Sequence, residues 1–168
     1  PPLNMFLKFL KNSAEQQKRS TYMTRIKETT IDQIRATNGG KRLAQLGYSN
    51  LASRGDLSED EVALFENAMT EPETAYAMMN WYRANIPAWS EITEADMWPS
   101  PDATIEIPAL VIWGEKDRVA TPELVNLLAN SSPNLKFVNL PEVNHWTSME
   151  QPGRANEAIL DFLNKKGE

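Results

Sequence analysis

The stretch that most limits what this chain can fold into is ALVIWG, residues 109–114. It is short, nearly all apolar and closed by a glycine, which suits a strand buried on both faces, as in a parallel sheet. TPELVNLLAN follows, with Thr121 at the N-cap and Pro122 at the first helical position. LKFVNL, residues 135–140, reads as a second strand. GRANEAILDFLNKK reads as a final amphipathic helix with lysines in its last turn. Strand, helix, strand, helix predicts a right-handed βαβ unit with a covering helix. Two parallel strands do not make an independent sheet, because buried parallel sheets have more members and helices on both faces. Residues 104–168 are therefore expected to be the C-terminal portion of a larger α/β sheet. The other strands would come from a second chain or from a longer precursor.

The residues before this portion cannot supply those strands, because their pattern is helical. LNMFLKFL puts Leu3, Phe6, Leu7 and Leu10 at the spacing of one helix face. STYMTRIKETTIDQIRA continues with Tyr22, Ile26, Ile31 and Ile34. NGGKRLAQLGYSN, broken by glycines, reads as a turn, a short helix and a loop. LSEDEVALFENAM has Ser58 as N-cap and Glu61 three residues on, a capping box. TEPETAYAMMNWYRANI begins with acids and Pro72, as helices do. PAWSEITEADMWPSPDATIEIP is proline-rich, acidic and aperiodic, and reads as a connection. The expected division is a helical domain over residues 1–103 and the α/β portion over 104–168.

The chain has 168 residues, 41% hydrophobic and 24% charged, enough apolar material for a core. A net charge of −6 with no basic stripe makes nucleic acid an unsuitable partner. No run approaches the length of a membrane span, and no signal peptide opens the chain. The absence of cysteine rules out disulfides and thiolate metal sites, and suits a cytoplasmic location. The first residue is not Met, so the N-terminus reads as a cut or processed end.

Catalytic groups of open α/β sheets collect beyond the carboxyl ends of the strands. WGEKD places Asp117 after the first strand, and PEVNHW places His145, the single histidine, after the second. A carboxylate there would hold one imidazole nitrogen and leave the other to take a proton from water. Taken singly, His145 reads as a hydrogen-bonded structural residue and Asp117 as a turn or cap residue. At two successive strand ends, the functional reading is the stronger.

IPALVIWGEKDRVATPE followed by VNLPEVNHWTSMEQPGRANEAILDFL resembles the C-terminal end of an α/β-hydrolase. In that family the acid follows one of the last strands and the histidine follows the next, which matches Asp117 and His145. The helical first part resembles the lid inserted before those strands. MMNWYRANIP is similar to the lid segment of soluble epoxide hydrolases that carries a catalytic tyrosine, matching Tyr82. STYMTRIKE is similar to the segment with the second lid tyrosine, matching Tyr22. The chain departs where relatives continue into a Phe-Gln-x-Pro-Gly-like stretch (here IKETTID) and where they often have Pro-His-Pro (here PPLNMF).

The resemblance implies conversion of a small apolar epoxide to a vicinal diol, with no metal and no organic cofactor. Two phenols, neutral at pH 7, would hydrogen-bond the epoxide oxygen and stabilise the alkoxide as the ring opens. Without the resemblance, both tyrosines read as packed lid aromatics. Trp81 and Trp146 are candidate walls of the substrate pocket, whereas Trp113, inside a strand, reads as core. The implied aspartate nucleophile and oxyanion donors belong to the N-terminal half of such a hydrolase. No G-x-S-x-G or equivalent turn occurs here, so the chain is expected to be inactive alone. The rival within the fold is a haloalkane or haloacetate dehalogenase, which would hold halide with Trp, Asn or His N–H groups. A serine esterase depends on the half not present. The rival from another class is a non-catalytic hydrolase-like fragment or interaction module.

Overall fold

The computed structural model describes residues 2–100 and 102–164. The lysines expected in the last turn of the final helix, Lys165 and Lys166, lie outside them. Two short helices open the chain: α1 (Leu3–Asn12) and α2 (Ala14–Arg19). Five follow: α3 (Thr21–Glu28), α4 (Ile31–Thr37), α5 (Gly39–Ser53), α6 (Glu59–Ala68) and α7 (Pro72–Asn85). After two single 3₁₀ turns come β1 (Ala109–Gly114), α8 (Pro122–Asn130), β2 (Leu135–Leu140), α9 (Thr147–Glu150) and α10 (Pro152–Asn164). Contacts divide these elements into two units, residues 21–87 and residues 1–20 with 88–168.

This division differs from the expected boundary at 103/104. The first twenty residues group with the strands because α1 and α2 are bonded to that part of the chain. Asn4 donates to the carbonyls of Pro99 and Ser100, and Lys8 pairs with Asp102. Gln16, fully buried, bonds to Val119 and Thr121. The buried face of α1 also differs in detail: Leu7 and Leu10 are on it as expected, but with Met5 and Asn4, while Leu3 and Phe6 are only half-buried. The acidic connection is likewise part of this unit rather than a free linker. Its turns at Trp89–Glu91 and Glu94–Asp96 bury Ile92 and Met97.

In the strand-bearing unit, β1 and β2 pair in parallel from Ala109 opposite Leu135 to Gly114 opposite Leu140. Their last residues are thus side by side, so both following loops leave from one edge. The helix between the strands packs through Leu124 and Leu128, both buried. Ala109 to Trp113 are half-buried rather than buried on both faces as expected, and Gly114 alone is fully enclosed.

The helical unit is held by Ile34, Ala75 and Met79, with Ile26, Leu43 and Tyr76 packed around them. The Ser58/Glu61 capping box starts α6 as expected, and Thr30 with Gln33 forms a second one at α4. Residues 39–53 are one helix, not the expected turn, short helix and loop. The break is confined to Asn38, which sits in the left-handed region at φ 49° and ends α4. Gly40 lies inside α5 because a side chain there would meet the Met69 carbonyl at 2.0 Å and the Ala75 Cβ at 3.0 Å. Gly40 is thus a close-approach residue of a packed helix rather than a breaker.

Candidate active site

The register of the strands decides the first half of the site. Beyond Gly114 the chain turns through Glu115 and Lys116, whose amides donate to Leu140 and Val143 carbonyls. Beyond Leu140 it turns through Val143, which is buried, to Asn144 and His145. The two turns are stitched together, and Asp117 and His145 emerge next to each other. His145 Nδ1 lies 2.9 Å from Asp117 Oδ2. The Asp117 side chain is 5% exposed and the His145 side chain 40% exposed. The carboxylate is thus enclosed while the imidazole is open to small molecules.

Asp117 Oδ1 accepts from the amides of Val119 at 2.7 Å and Ala120 at 3.0 Å. Burial pushes the carboxyl up. The hydrogen bond with His145, the Ala120 amide, the attraction of the imidazole and the Val119 amide outweigh it, holding Asp117 below the ordinary aspartate value. An ionised Asp117 with Oδ2 against Nδ1 fixes the ring so that Nε2 is the basic nitrogen.

Two positions around His145 carry no signature in the sequence. Glu150 Oε2 accepts from the Asn144 amide at 2.9 Å and the Asn144 side chain at 3.3 Å. Its Oε1 accepts from the Trp146 amide at 3.3 Å. One carboxylate therefore grips the main chain on both sides of the histidine. Gly114 is the second: a Cβ there would stand 2.0 Å from the Asn144 carbonyl and 2.5 Å from that of Val143. The histidine turn packs onto the strand end where only glycine fits. In the sequence Gly114 registered only as the close of a strand.

The second half of the predicted set lies in the helical unit. Tyr22 on α3 and Tyr82 on α7 meet edge to face with ring centroids 6.1 Å apart. Trp81 stands edge-on to Tyr82 at 5.2 Å and is 53% exposed. Trp146 stands edge-on to His145 at 5.3 Å. Trp113 lies in β1, half-buried. Each unit thus brings its own predicted pair together.

Arg83, beside Tyr82, ties α7 to the end of the helix that carries Tyr22. Its guanidinium donates to the carbonyls of Ile26, Lys27 and Thr29 at the end of α3. It also donates to Asn80 Oδ1 at 2.8 Å, and it lies 4.3 Å from the Tyr76 ring centroid. A cation on the last carbonyls of a helix satisfies acceptors that have no partner within the helix and complements its dipole. The residue that follows Tyr82 thereby locks the helix that carries Tyr22. Among the described residues, no group of three or more His, Asp or Glu is placed to hold a metal.

The chain is 27% identical over 106 residues to AB hydrolase superfamily protein YfhM of Bacillus subtilis, covering 63% of this chain and 34% of that protein. It is 32% identical over 85 residues to bifunctional epoxide hydrolase 2 of Rattus norvegicus, covering 51% of this chain and 14% of that one. Bacillus megaterium epoxide hydrolase, solved in complex with an inhibitor, superposes on 95% of this chain with a TM-score of 0.73 and 25% identity. The chain spans 56% of that structure and about a third or less of those two curated relatives. No family model matches. The chain has the fold of the C-terminal part of an α/β-hydrolase, helices followed by the last two parallel strands. Its similarity extends to epoxide hydrolases among the proteins of that fold.

Proposed function

We propose that this chain is the lid and acid–base part of an epoxide hydrolase, working with a nucleophilic aspartate that lies outside these residues. The observation that carries the reading is the 2.9 Å contact of His145 Nδ1 with the enclosed Asp117 carboxylate, at the paired ends of two parallel strands. The pairing of Tyr22 with Tyr82 supports the choice of substrate.

The reaction runs in two steps. The nucleophile's carboxylate oxygen attacks an epoxide carbon and the carbon–oxygen ring bond breaks. Tyr82 and Tyr22 hydrogen-bond the departing oxygen, and one phenol gives it a proton. The product of this step is an alkyl-enzyme ester. His145 Nε2 then takes a proton from water, whose oxygen attacks the carbonyl carbon of that ester. Asp117 stabilises the imidazolium that results. The tetrahedral adduct collapses, the regenerated carboxyl gives its proton to the released alkoxide, and a vicinal diol leaves; the imidazolium proton returns through solvent to the phenolate left by the first step. The N-terminal half of the hydrolase, with the remaining strands, is the partner this scheme requires. It also gives the half-buried faces of β1 and β2 the neighbours that parallel strands need.

Styrene oxide hydrolysis by the protein with its nucleophile-bearing half tests the assignment. Tyr82→Phe and Tyr22→Phe should each cut diol formation by about 10²-fold or more, the scale of a lost transition-state donor. Halide release from a haloalkane that survives both changes would assign the site to dehalogenation instead. A folded complex that turns over neither substrate would leave the chain a binding module.

A further inference from the structure

We infer that Gln16 and Arg19, on α2, are positioning residues for the acid of this site; the inference rests on the reading of Asp117 and His145 as a working pair. Asp117 lies in a turn that runs to Thr121, and the polar groups of that turn have to be satisfied. Two amides are taken by the aspartate itself, those of Val119 and Ala120. The outer groups are taken by α2, about a hundred residues earlier. Arg19 Nη1 donates to the carbonyls of Asp117 and Ala120, both at 3.0 Å. Gln16 Nε2 donates to the Val119 carbonyl at 2.9 Å, and its Oε1 accepts from the Thr121 amide at 3.1 Å.

Both side chains are themselves fixed. Gln16 has no exposed surface and also donates to Ser20 Oγ at 3.0 Å. Glu15 pairs with Arg19 Nε at 3.0 Å. A buried amide that uses its oxygen and its nitrogen on one turn fixes the position of that turn, because any shift leaves a buried polar group unpaired. The turn has one side chain whose placement matters to the chemistry, Asp117. Gln16 and Arg19 touch neither the imidazole nor a substrate atom. Their effect passes through the main chain of Asp117 to Oδ2, and from Oδ2 to the Nδ1 proton of His145.

The chain contains one histidine, so its ¹⁵N imidazole resonances report on this pair alone. They would be recorded on the 168-residue chain at about pH 9, well above the ordinary imidazole pKa of about 6.5. Asp117→Asn sets the reference: it should shift the ring from the form protonated at Nδ1 towards the Nε2 form. Arg19→Met and Gln16→Leu should each move the signals at least half as far while circular dichroism stays native, and Arg19→Lys should restore most of the loss. A folded Arg19→Met with wild-type imidazole signals overturns the inference, whatever its melting temperature. If Gln16→Leu fails to fold, Arg19→Met decides, since that side chain lies at the surface of α2 and is 27% exposed. If Asp117→Asn itself leaves the signals unchanged, the pair has failed, and with it the functional reading rather than the clamp alone.

Discussion

Asp117 divides its two carboxylate oxygens between two tasks. Oδ1 closes its own turn on the Val119 and Ala120 amides, and Oδ2 faces the histidine. Because its carboxyl is held below the ordinary value, the stability it contributes is fully present above about pH 4, the unfolded aspartate value. It is lost as pH falls through the lower folded value. Urea unfolding of the wild type and of Asp117→Asn between about pH 6 and pH 3 should therefore show a wild-type advantage that persists through pH 4 and shrinks only below it. An advantage already gone at about pH 5 contradicts the pairing. Gly114 makes the second residue-scale prediction. Gly114→Ala forces a carbon onto two carbonyls of the histidine turn, at a cost of about 3 kcal/mol. Gly47→Ala, where nothing lies within 4 Å, should instead stabilise α5 by up to about 1 kcal/mol. Denaturation midpoints of the two variants should move in opposite directions.

At the scale of elements, α3 and α7 form a pair, and each carries one tyrosine of the proposed scheme. Arg83 spans them through three carbonyls, so Arg83→Met should cost about 2 kcal/mol and part the two rings. Unfolding curves and the ring cross-peaks of Tyr22 and Tyr82 check both effects, and Arg83→Lys, with no planar fork, should rescue little. Element placement also shows what the sequence discloses. Both strands and the helices at 59–68, 72–85, 122–130 and 152–164 were legible, because period, caps and proline positions agree there. The helix at 39–53 was not, since its glycines look like breakers. The reason for Gly40 is the Met69 carbonyl, a contact that a local pattern does not encode. The same holds for the site. Asp117 and His145 stood out because strand ends are marked in the sequence. Gln16, Arg19 and Glu150 did not, since ordinary polar residues acquire their role only when the fold brings a distant turn against them.

For the whole molecule, the proposed scheme draws Asp117 and His145 from the strand-bearing unit and Tyr22 and Tyr82 from the helical unit, and the chain spans 56% of the solved epoxide hydrolase it resembles. The first twenty residues, predicted to lie with the helices, belong by contact to the strands, and that is what gives the acid its support. The central claim is that His145 serves the second step and not the first. The direct measurement is intact-protein mass spectrometry of His145→Gln, joined to its nucleophile-bearing half and mixed with styrene oxide. The account predicts that the nucleophile's chain gains the mass of one styrene oxide, that the adduct persists, and that diol release falls by about 10²-fold or more. Steady diol release at the wild-type rate without a lasting adduct would contradict it.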